Sequence, residues 1–148
     1  MRAPMNIPLP QPDAVSEPFW AGCAERRLLV QHCLECGDFH SPPRLLCRNC
    51  RGSEFEWRES EGRGRIYTYT IAHHPGSPAL RDDVPYVVVV VQLDDCGGAR
   101  LISNLIGENA AEVAVDQPVR LRWDDDAGAW LPRFELLADA NLDGGSIT

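Results

Sequence analysis

Apolar positions in this chain fall mostly in short alternating or continuous runs, and one segment carries them at helical spacing. In SEPFWAGCAERR, residues 16–27, Phe19, Trp20 and Cys23 stand at i, i+1 and i+4 and make one apolar face. Ser16 offers an N-cap, with Glu17 and Pro18 in the first turn. A helix of roughly ten residues is not stable alone, so it must pack on something. The Phe19–Trp20 pair is therefore either core or an anchor for another subunit.

Downstream, the runs have strand length. Residues 28–31 lead into a cysteine-rich segment and residues 55–58 leave it. Trp57 is expected to cover that segment or its junction with the next domain. From residue 62 the texture is that of a barrel. GRGRIYTYTIAHH is rich in β-branched and aromatic residues, with Gly62 and Gly64 permitting a bulge or bend at its start. YVVVVVQL, residues 86–93, is continuously apolar and suggests burial on both faces. Asp95-Cys96-Gly97-Gly98 turns the chain into ARLISNLIG. A connector with room for one helical turn precedes PVRLRW, which alternates apolar residues with Arg120 and Arg122. AWLPRFELL is the fifth strand. Five strands, a long break after the third and glycine at the start of the first describe a small closed barrel, and the five-stranded Greek-key barrel of this size is the OB-fold. The expected organisation is thus mainly β: a flexible proline-rich arm over 1–15, a helix plus the cysteine-rich ribbon over 16–60, an OB-fold over 61–137, and a loose tail over 138–148.

The segment between the first two short strands carries the chemistry. Cys33, Cys36, Cys47 and Cys50 form C-x2-C-x10-C-x2-C. Each C-x-x-C turns two sulfurs toward one point, and two such knuckles give the tetrahedron of a structural zinc ion. Gly37 and Gly52 suit the left-handed backbone of a knuckle. Two disulfides are the competing reading; a reduced compartment favours the metal. Four thiolates close the site to water, so this zinc would hold structure rather than catalyse. Cys23 and Cys96 lie outside the knuckles and read as small buried hydrophobes.

Charge narrows the function. All 14 basic residues are arginine; residues 1–70 balance nine arginines against nine acids, and residues 71–148 carry five against thirteen. An acidic second half opposes a phosphate backbone, which argues against a nucleic-acid partner. A single-strand binder remains the alternative, because OB-folds and ribbons both serve that role and Tyr67 and Tyr69 share a face on which bases stack. No apolar run approaches the ~20 residues of a membrane span. The N-terminus lacks the apolar stretch of a signal peptide, so a cytoplasmic chain is expected.

Taken together, PFWAG, RLLVQHC, the ribbon with Pro42-Pro43, EFEWRESEGRGRIYTYTIAHH, PYVVVVVQLDD, LISNLIG and LPRFELL resemble the DUF35 proteins over about Pro18 to Phe134. In that family a rubredoxin-like zinc ribbon precedes an acyl-CoA-associated OB-fold. One departure is VDQPV, which lacks the usual glycine before the fourth strand, so Asp116 or Gln117 must make the turn.

The resemblance implies an accessory subunit. Relatives bind thiolases, thiolase-like acyltransferases or lipid-transfer-protein-like aldolases, and some accompany enoyl-CoA hydratases. The expected cofactors are structural zinc and a coenzyme A ester shared with the partner. The expected assembly is two copies of this chain flanking one thiolase-fold or aldolase dimer. Arg44 after the proline pair, and Arg63 and Arg65 at the barrel mouth, are the candidates for the CoA phosphates; surface solubility is their other reading. No catalytic residue is assigned. His32, His40, the His73-His74 pair, Asp94-Asp95 and Cys96 lack a sequence-evident nucleophile and base arrangement. Asp94-Asp95 reads as a solvated turn.

Overall fold

The computed structural model describes residues 1–137. Helix α1 spans Glu17–Ala24. Its entry is organised by Asp13 rather than by a Ser16 cap: Asp13 Oδ1 accepts the Val15 and Ser16 N–H groups at 3.1 and 2.8 Å, while Ser16 Oγ accepts the Asp13 N–H. Those bonds, first of all the ones with Ser16, hold the Asp13 carboxyl below its usual range. Phe19 and Cys23 turn inward, and Cys23 is 1% exposed.

A three-stranded antiparallel sheet follows, with β1 (Leu28–Cys33) between β2 (Phe39–His40) and β3 (Phe55–Ser60). Then come β4 (Arg63–Ala72), β5 (Tyr86–Leu93), β6 (Arg100–Leu105), β7 (Pro118–Asp124) and β8 (Leu131–Leu136). They close in the order β4-β5-β6-β8-β7, with β7 returning to pair with the start of β4 at Arg63–Arg65. β6 meets β8 in parallel at Leu105 and Phe134. This is the Greek-key closure of an OB-fold.

Two local expectations change in the folded chain. The valine run is not buried on both faces. Val87, Val89 and Val91 are fully inside, whereas Val88 and Val90 are half-buried on the outer face. A barrel strand has one face to the core and one to the outside, so even a continuous apolar run must split. The bulge of β4 lies between Ile66 and Thr68, at Tyr67, rather than at the glycines. Gly62 supplies the bend: it takes φ +81°, and a Cβ there would run into Leu121. The missing glycine before β7 is replaced by Asp116, at φ +71°. Gln117 braces the connector, accepting the Ala114 N–H at 2.7 Å, and residues 110–112 make the single helical turn.

The core is shared between ribbon and barrel. Leu28 and Val30 of β1 belong to the same buried cluster as Ile66, Val89, Leu105 and Phe134 of the barrel. The zinc-ribbon sheet is therefore anchored by hydrophobic burial to the unit beneath it. The proline-rich arm forms no helix or strand, and it lies on the barrel: Ala3 is buried, and the Met5 and Asn6 N–H groups both donate to Asp83 Oδ2 at 3.1 Å. The tail expected over residues 138–148 lies outside the described residues.

Candidate metal centre and the adjoining groove

The two knuckles have the same backbone plan. Gly37 N–H donates to Cys33 C=O at 2.9 Å and Arg51 N–H donates to Cys47 C=O at 2.8 Å. Gly37 takes the left-handed turn in the first, at φ +83°, and Arg51 takes it in the second, at φ +64°. Gly52, the residue the sequence suggests for that role, serves a different need: a Cβ there would strike the Glu35 carboxylate and the Cys50 sulfur.

All four sulfurs lie within 4.8 Å of one another. Cys33 and Cys50 Sγ stand 3.6 Å apart, as do Cys36 and Cys47 Sγ. Thiolates ~2.3 Å from a tetrahedral zinc ion sit about 3.8 Å apart, so the cluster has the size such an ion requires and is far too open for disulfides. Cys33 and Cys47 are buried; Cys36 and Cys50 face outward. The Asn49 side chain and then the Asp38 backbone hold the Cys36 thiol down at about 7, whereas Cys50, against the pull of the Gly52 N–H, is pushed up to about 12 by burial and the three neighbouring sulfurs. Backbone donors also aim at sulfur: Asn49 N–H at Cys47 Sγ and Gly52 N–H at Cys50 Sγ, both at 3.4 Å.

His40 is a residue whose place sequence reasoning missed. It is 3% exposed, and its Nε2 lies 3.3 Å from Cys47 Sγ. Burial pushes the imidazole below its usual value, against the pull of Asp38. A neutral ring has one N–H, and a thiolate can only accept, so the proton belongs on Nε2. Nδ1 is then a buried acceptor without a partner. The sequence signal was a histidine three residues from Gly37 and seven from Cys47, too weak to separate from core packing.

Two side chains hold the metal segment in place, one within the ribbon and one against the barrel. Gln31, 4% exposed, acts like a neighbouring strand: its Nε2 donates to Arg44 C=O and its Oε1 accepts Arg44 N–H, both at 2.8 Å. Asp95 clamps the end of β3 to the β5–β6 turn, accepting from Ser60 Oγ at 2.7 Å and Glu61 N–H at 2.8 Å. Burial pushes its carboxyl up, but those hydrogen bonds outweigh it and hold the group below its usual range. Asp95 is thus more than a solvated turn residue, although its side chain stays in contact with water. Trp57 lies at the junction, lining a narrow crevice with Phe19, Leu28 and Leu93.

Of the three arginines expected to serve a phosphate site, one faces a suitable cavity. Arg44 lines a polar cavity of about 420 Å³ with Arg48, Arg100, Gln92 and the Gly97-Gly98 turn. Neither Arg63 nor Arg65 lines it. Arg63 stands across from Arg120 on β7, and Arg65 donates to Asp116 C=O at 2.7 Å, bracing the left-handed turn. Next to this cavity, sharing Ser41, Pro42 and Arg100 with it, runs an apolar groove of about 500 Å³. Helix α1 gives it Phe19 and Trp20, the proline pair forms another wall, and the barrel contributes Val90, Leu101 and Ile102. Val90 and Ile102 are cross-strand partners, and Ile102 is 72% exposed. Val90 reaches the groove because the valine run turns every second residue outward.

The remaining candidates for chemistry stay apart. His73 and His74 are exposed in the β4–β5 loop. Cys96 is buried, and burial first, then Asp95, pushes its thiol up to about 12. Burial does the same to Cys23. Arg100 lies over the Tyr67 ring, 3.7 Å from its centroid, and so occupies one stacking face. No helix among the described residues is long and apolar enough to cross a membrane.

Residues 20–56 match the ChsH2 rubredoxin-like zinc ribbon domain, and residues 57–124 match the ChsH2 C-terminal OB-fold domain. The chain is 37% identical over 118 residues to a probable enoyl-CoA hydratase alpha subunit of Thermomonospora curvata, covering 78% of this chain but 36% of that protein. It thus spans about a third of that relative's length. It is 31% identical over 104 residues to a DUF35 domain-containing scaffold protein of Methanothermobacter thermautotrophicus, covering 69% of this chain and 76% of the relative. Among solved structures, a chain of the Ltp2-ChsH2(DUF35) aldolase superposes with a TM-score of 0.74 at 32% identity, covering 86% of this chain and 98% of that one. Four clustered cysteines, a barrel joined to the ribbon through one core, and consecutive matches to both ChsH2 domains establish that this chain belongs to the DUF35 family.

Proposed function

We propose that this chain is a non-catalytic accessory subunit that binds an acyl-CoA-processing enzyme and completes its acyl-CoA channel. In this reading Cys33, Cys36, Cys47 and Cys50 hold a structural zinc ion that shapes the ribbon. The ribbon and α1 then present the apolar groove and the arginine-lined cavity to the partner. The single observation that carries the reading is that adjacency. Arginines recognise phosphate groups and an apolar lane suits a pantetheine arm, and the two open onto each other across Ser41, Pro42 and Arg100. Arg44, Arg48 and Arg100 are the residues that would meet the phosphates. Cys47, beside His40, is committed to the metal, and Ser60, beside Asp95, to the clamp at the end of β3, so this reading gives the chemistry to the partner.

The partner proposed is a thiolase-like enzyme or a lipid-transfer-protein-like aldolase, with two copies of this chain on one enzyme dimer. The likeness to the DUF35 chain of an aldolase supports that choice. Co-expression with the enzyme encoded beside this chain is expected to yield a stable complex with turnover, while the chain alone shows none. Native mass spectrometry reads the stoichiometry. An enzyme that is fully active and does not co-purify with the chain would defeat the proposal. A hydratase partner is the second reading, favoured by the 37% identity to a hydratase alpha subunit; the same co-purification with an enoyl-CoA hydratase distinguishes it.

A further inference from the structure

One strand of the barrel keeps an open edge. β4 pairs with β5 along nearly its whole length, but β7 reaches it only at Arg63–Arg65. The last backbone bonds on the β7 side belong to Ile66, whose N–H donates to Gln117 C=O and whose C=O accepts from Asp116 N–H. Beyond the bulge at Tyr67, β5 decides which way each residue of β4 turns its backbone groups. Asp94 N–H donates to Arg63 C=O and Leu93 N–H to Ala99 C=O, both at 2.9 Å. Even-numbered residues of β5 therefore face β4 and odd-numbered ones face β6. Val90, Val88 and Tyr86 stand opposite Thr68, Thr70 and Ala72, and those pairs bond to each other. Tyr69 and Ile71 turn N–H and C=O the other way, where no group among the described residues meets them. The stretch is also accessible, since Tyr67, Thr68, Tyr69 and Thr70 are all exposed. Successive side chains of a strand point to opposite faces, so four exposed in a row leave both faces open to water.

An unpaired edge is a template for another strand, and proteins that keep such an edge free guard it with charge, proline or brevity. The ribbon sheet does so. Its outer strand β2 has two residues, and β3 carries Glu56, Arg58 and Glu59. The open edge of β4 has no such guard. Residues 66–80 contain no Asp, Glu, Lys or Arg, and no proline interrupts the strand itself. YTYTIA, residues 67–72, is made almost entirely of the aromatic and β-branched residues that favour pairing.

We propose that this edge pairs with the same edge of a second copy of the chain, antiparallel about a two-fold axis at Thr70. Tyr69 then stands opposite Ile71 of the second copy, and Ile71 opposite its Tyr69. Each of these pairs exchanges two backbone hydrogen bonds, so every open group of Tyr69 and Ile71 is met on both copies. An axis at Tyr69 would set Ile71 against the bulge, and an axis at Ile71 would set Tyr69 against the loop at His73. The side chains agree with the register at Thr70. It places tyrosine beside isoleucine twice and threonine beside threonine once, all favourable cross-strand pairs. The chain carries a net charge of −8, but none of it lies on this edge. The product is one continuous sheet running β6-β5-β4 and then β4-β5-β6 of the second copy. None of residues 68–72 lines the groove or the arginine cavity, so the pairing is independent of the function proposed above.

Sedimentation velocity on the zinc-loaded full chain, across a dilution series, is expected to show a monomer–dimer equilibrium. Hydrogen exchange is expected to find the Tyr69 and Ile71 amides protected where the dimer prevails and exchanging freely on dilution. Tyr69→Pro removes an N–H that is unpaired in the monomer, so the ladder to β5 is kept. It deletes two hydrogen bonds per dimer and is expected to weaken association by about ten-fold or more. Thr70→Lys sets like charges face to face and is expected to weaken it as well, with partial recovery at high salt. It also carries the test if the proline variant fails to fold. A chain that stays monomeric throughout, a dimer undiminished in Thr70→Lys, or amides that exchange equally in both states overturns the inference. Protection that appears only when the partner enzyme is added would place a strand of that enzyme on the edge and overturn pairing with a second copy. Tyr69→Pro is expected to co-purify with the partner enzyme as wild type does, so either proposal can fail while the other stands.

Discussion

His40→Phe tests the metal centre through a residue that is not one of its sulfurs. Phenylalanine keeps the aromatic volume and the edge contact with Phe55, whose ring centroid lies 6.0 Å away. It removes the Nε2–H that points at Cys47 Sγ from 3.3 Å. A hydrogen bond to a charged group contributes about 1.5–3 kcal/mol. Each ~1.4 kcal/mol is a factor of ten in affinity, so zinc should bind roughly 10- to 100-fold more weakly. Loss of a hydrogen-bonding neighbour of a metal ligand costs about 10–100-fold elsewhere as well. Loss of the unpartnered Nδ1 acceptor works the other way, which places the expectation near the lower end. Competition against a chromophoric chelator reads the affinity directly. The cobalt-substituted protein should show a shifted thiolate-to-metal absorption band, and His40→Gln, which restores a donor, should recover part of the affinity. Zinc affinity within two-fold of wild type, with an unshifted cobalt band, would refute the idea that His40 donates to the thiolate.

Three further outcomes rest on named contacts. Gly62→Ala should destabilise the barrel by about 2–4 kcal/mol in urea unfolding, because it adds the cost of a left-handed alanine to a clash with Leu121; a loss under about 0.5 kcal/mol would contradict the close approach. Asp95→Asn should cost about 1 kcal/mol at pH 7, through the bonds from Ser60 and Glu61. The folded carboxyl lies below its ordinary 3.8, so this contribution is complete above that value and disappears as pH falls through the folded one; wild type and variant should converge in acid, and a gap that widened there would reverse the sign of the shift. Ile102→Asp, at a site 72% exposed, should leave thermal unfolding unchanged while weakening the complex with the partner enzyme at least ten-fold by surface plasmon resonance.

Much of this molecule is legible in its order of residues. The double C-x-x-C brings four sulfurs within 4.8 Å because each knuckle is a local turn that needs few distant contacts. Strand length, alternation and the breaks between runs determine five barrel strands, because side-chain periodicity comes directly from backbone geometry. The turn before β7 was narrowed to Asp116 or Gln117 by the glycine that the family resemblance leads one to expect there, and the fold places it at Asp116.

Convergence across the chain is another matter. Arg44 lines a cavity with Arg48 and Arg100 because Gln31 grips the Arg44 backbone while β6 passes on the other side; of the two arginines expected beside it in that role, Arg63 pairs with Arg120 of β7 and Arg65 donates to Asp116. His40 reaches Cys47, Asp95 reaches Ser60, and Arg133 meets Asn104 through contacts spanning 7, 35 and 29 positions. The valine run shows the division most plainly. Its composition declares a strand, but which valines enter the core and which face outward, with Val90 on the groove, depends on the closure of the barrel around it. Local turns and periodicities are properties of neighbouring residues and survive reading one residue at a time. A cavity, a clamp or an anchor is a property of residues that become neighbours only when the sheet closes and the ribbon joins its core.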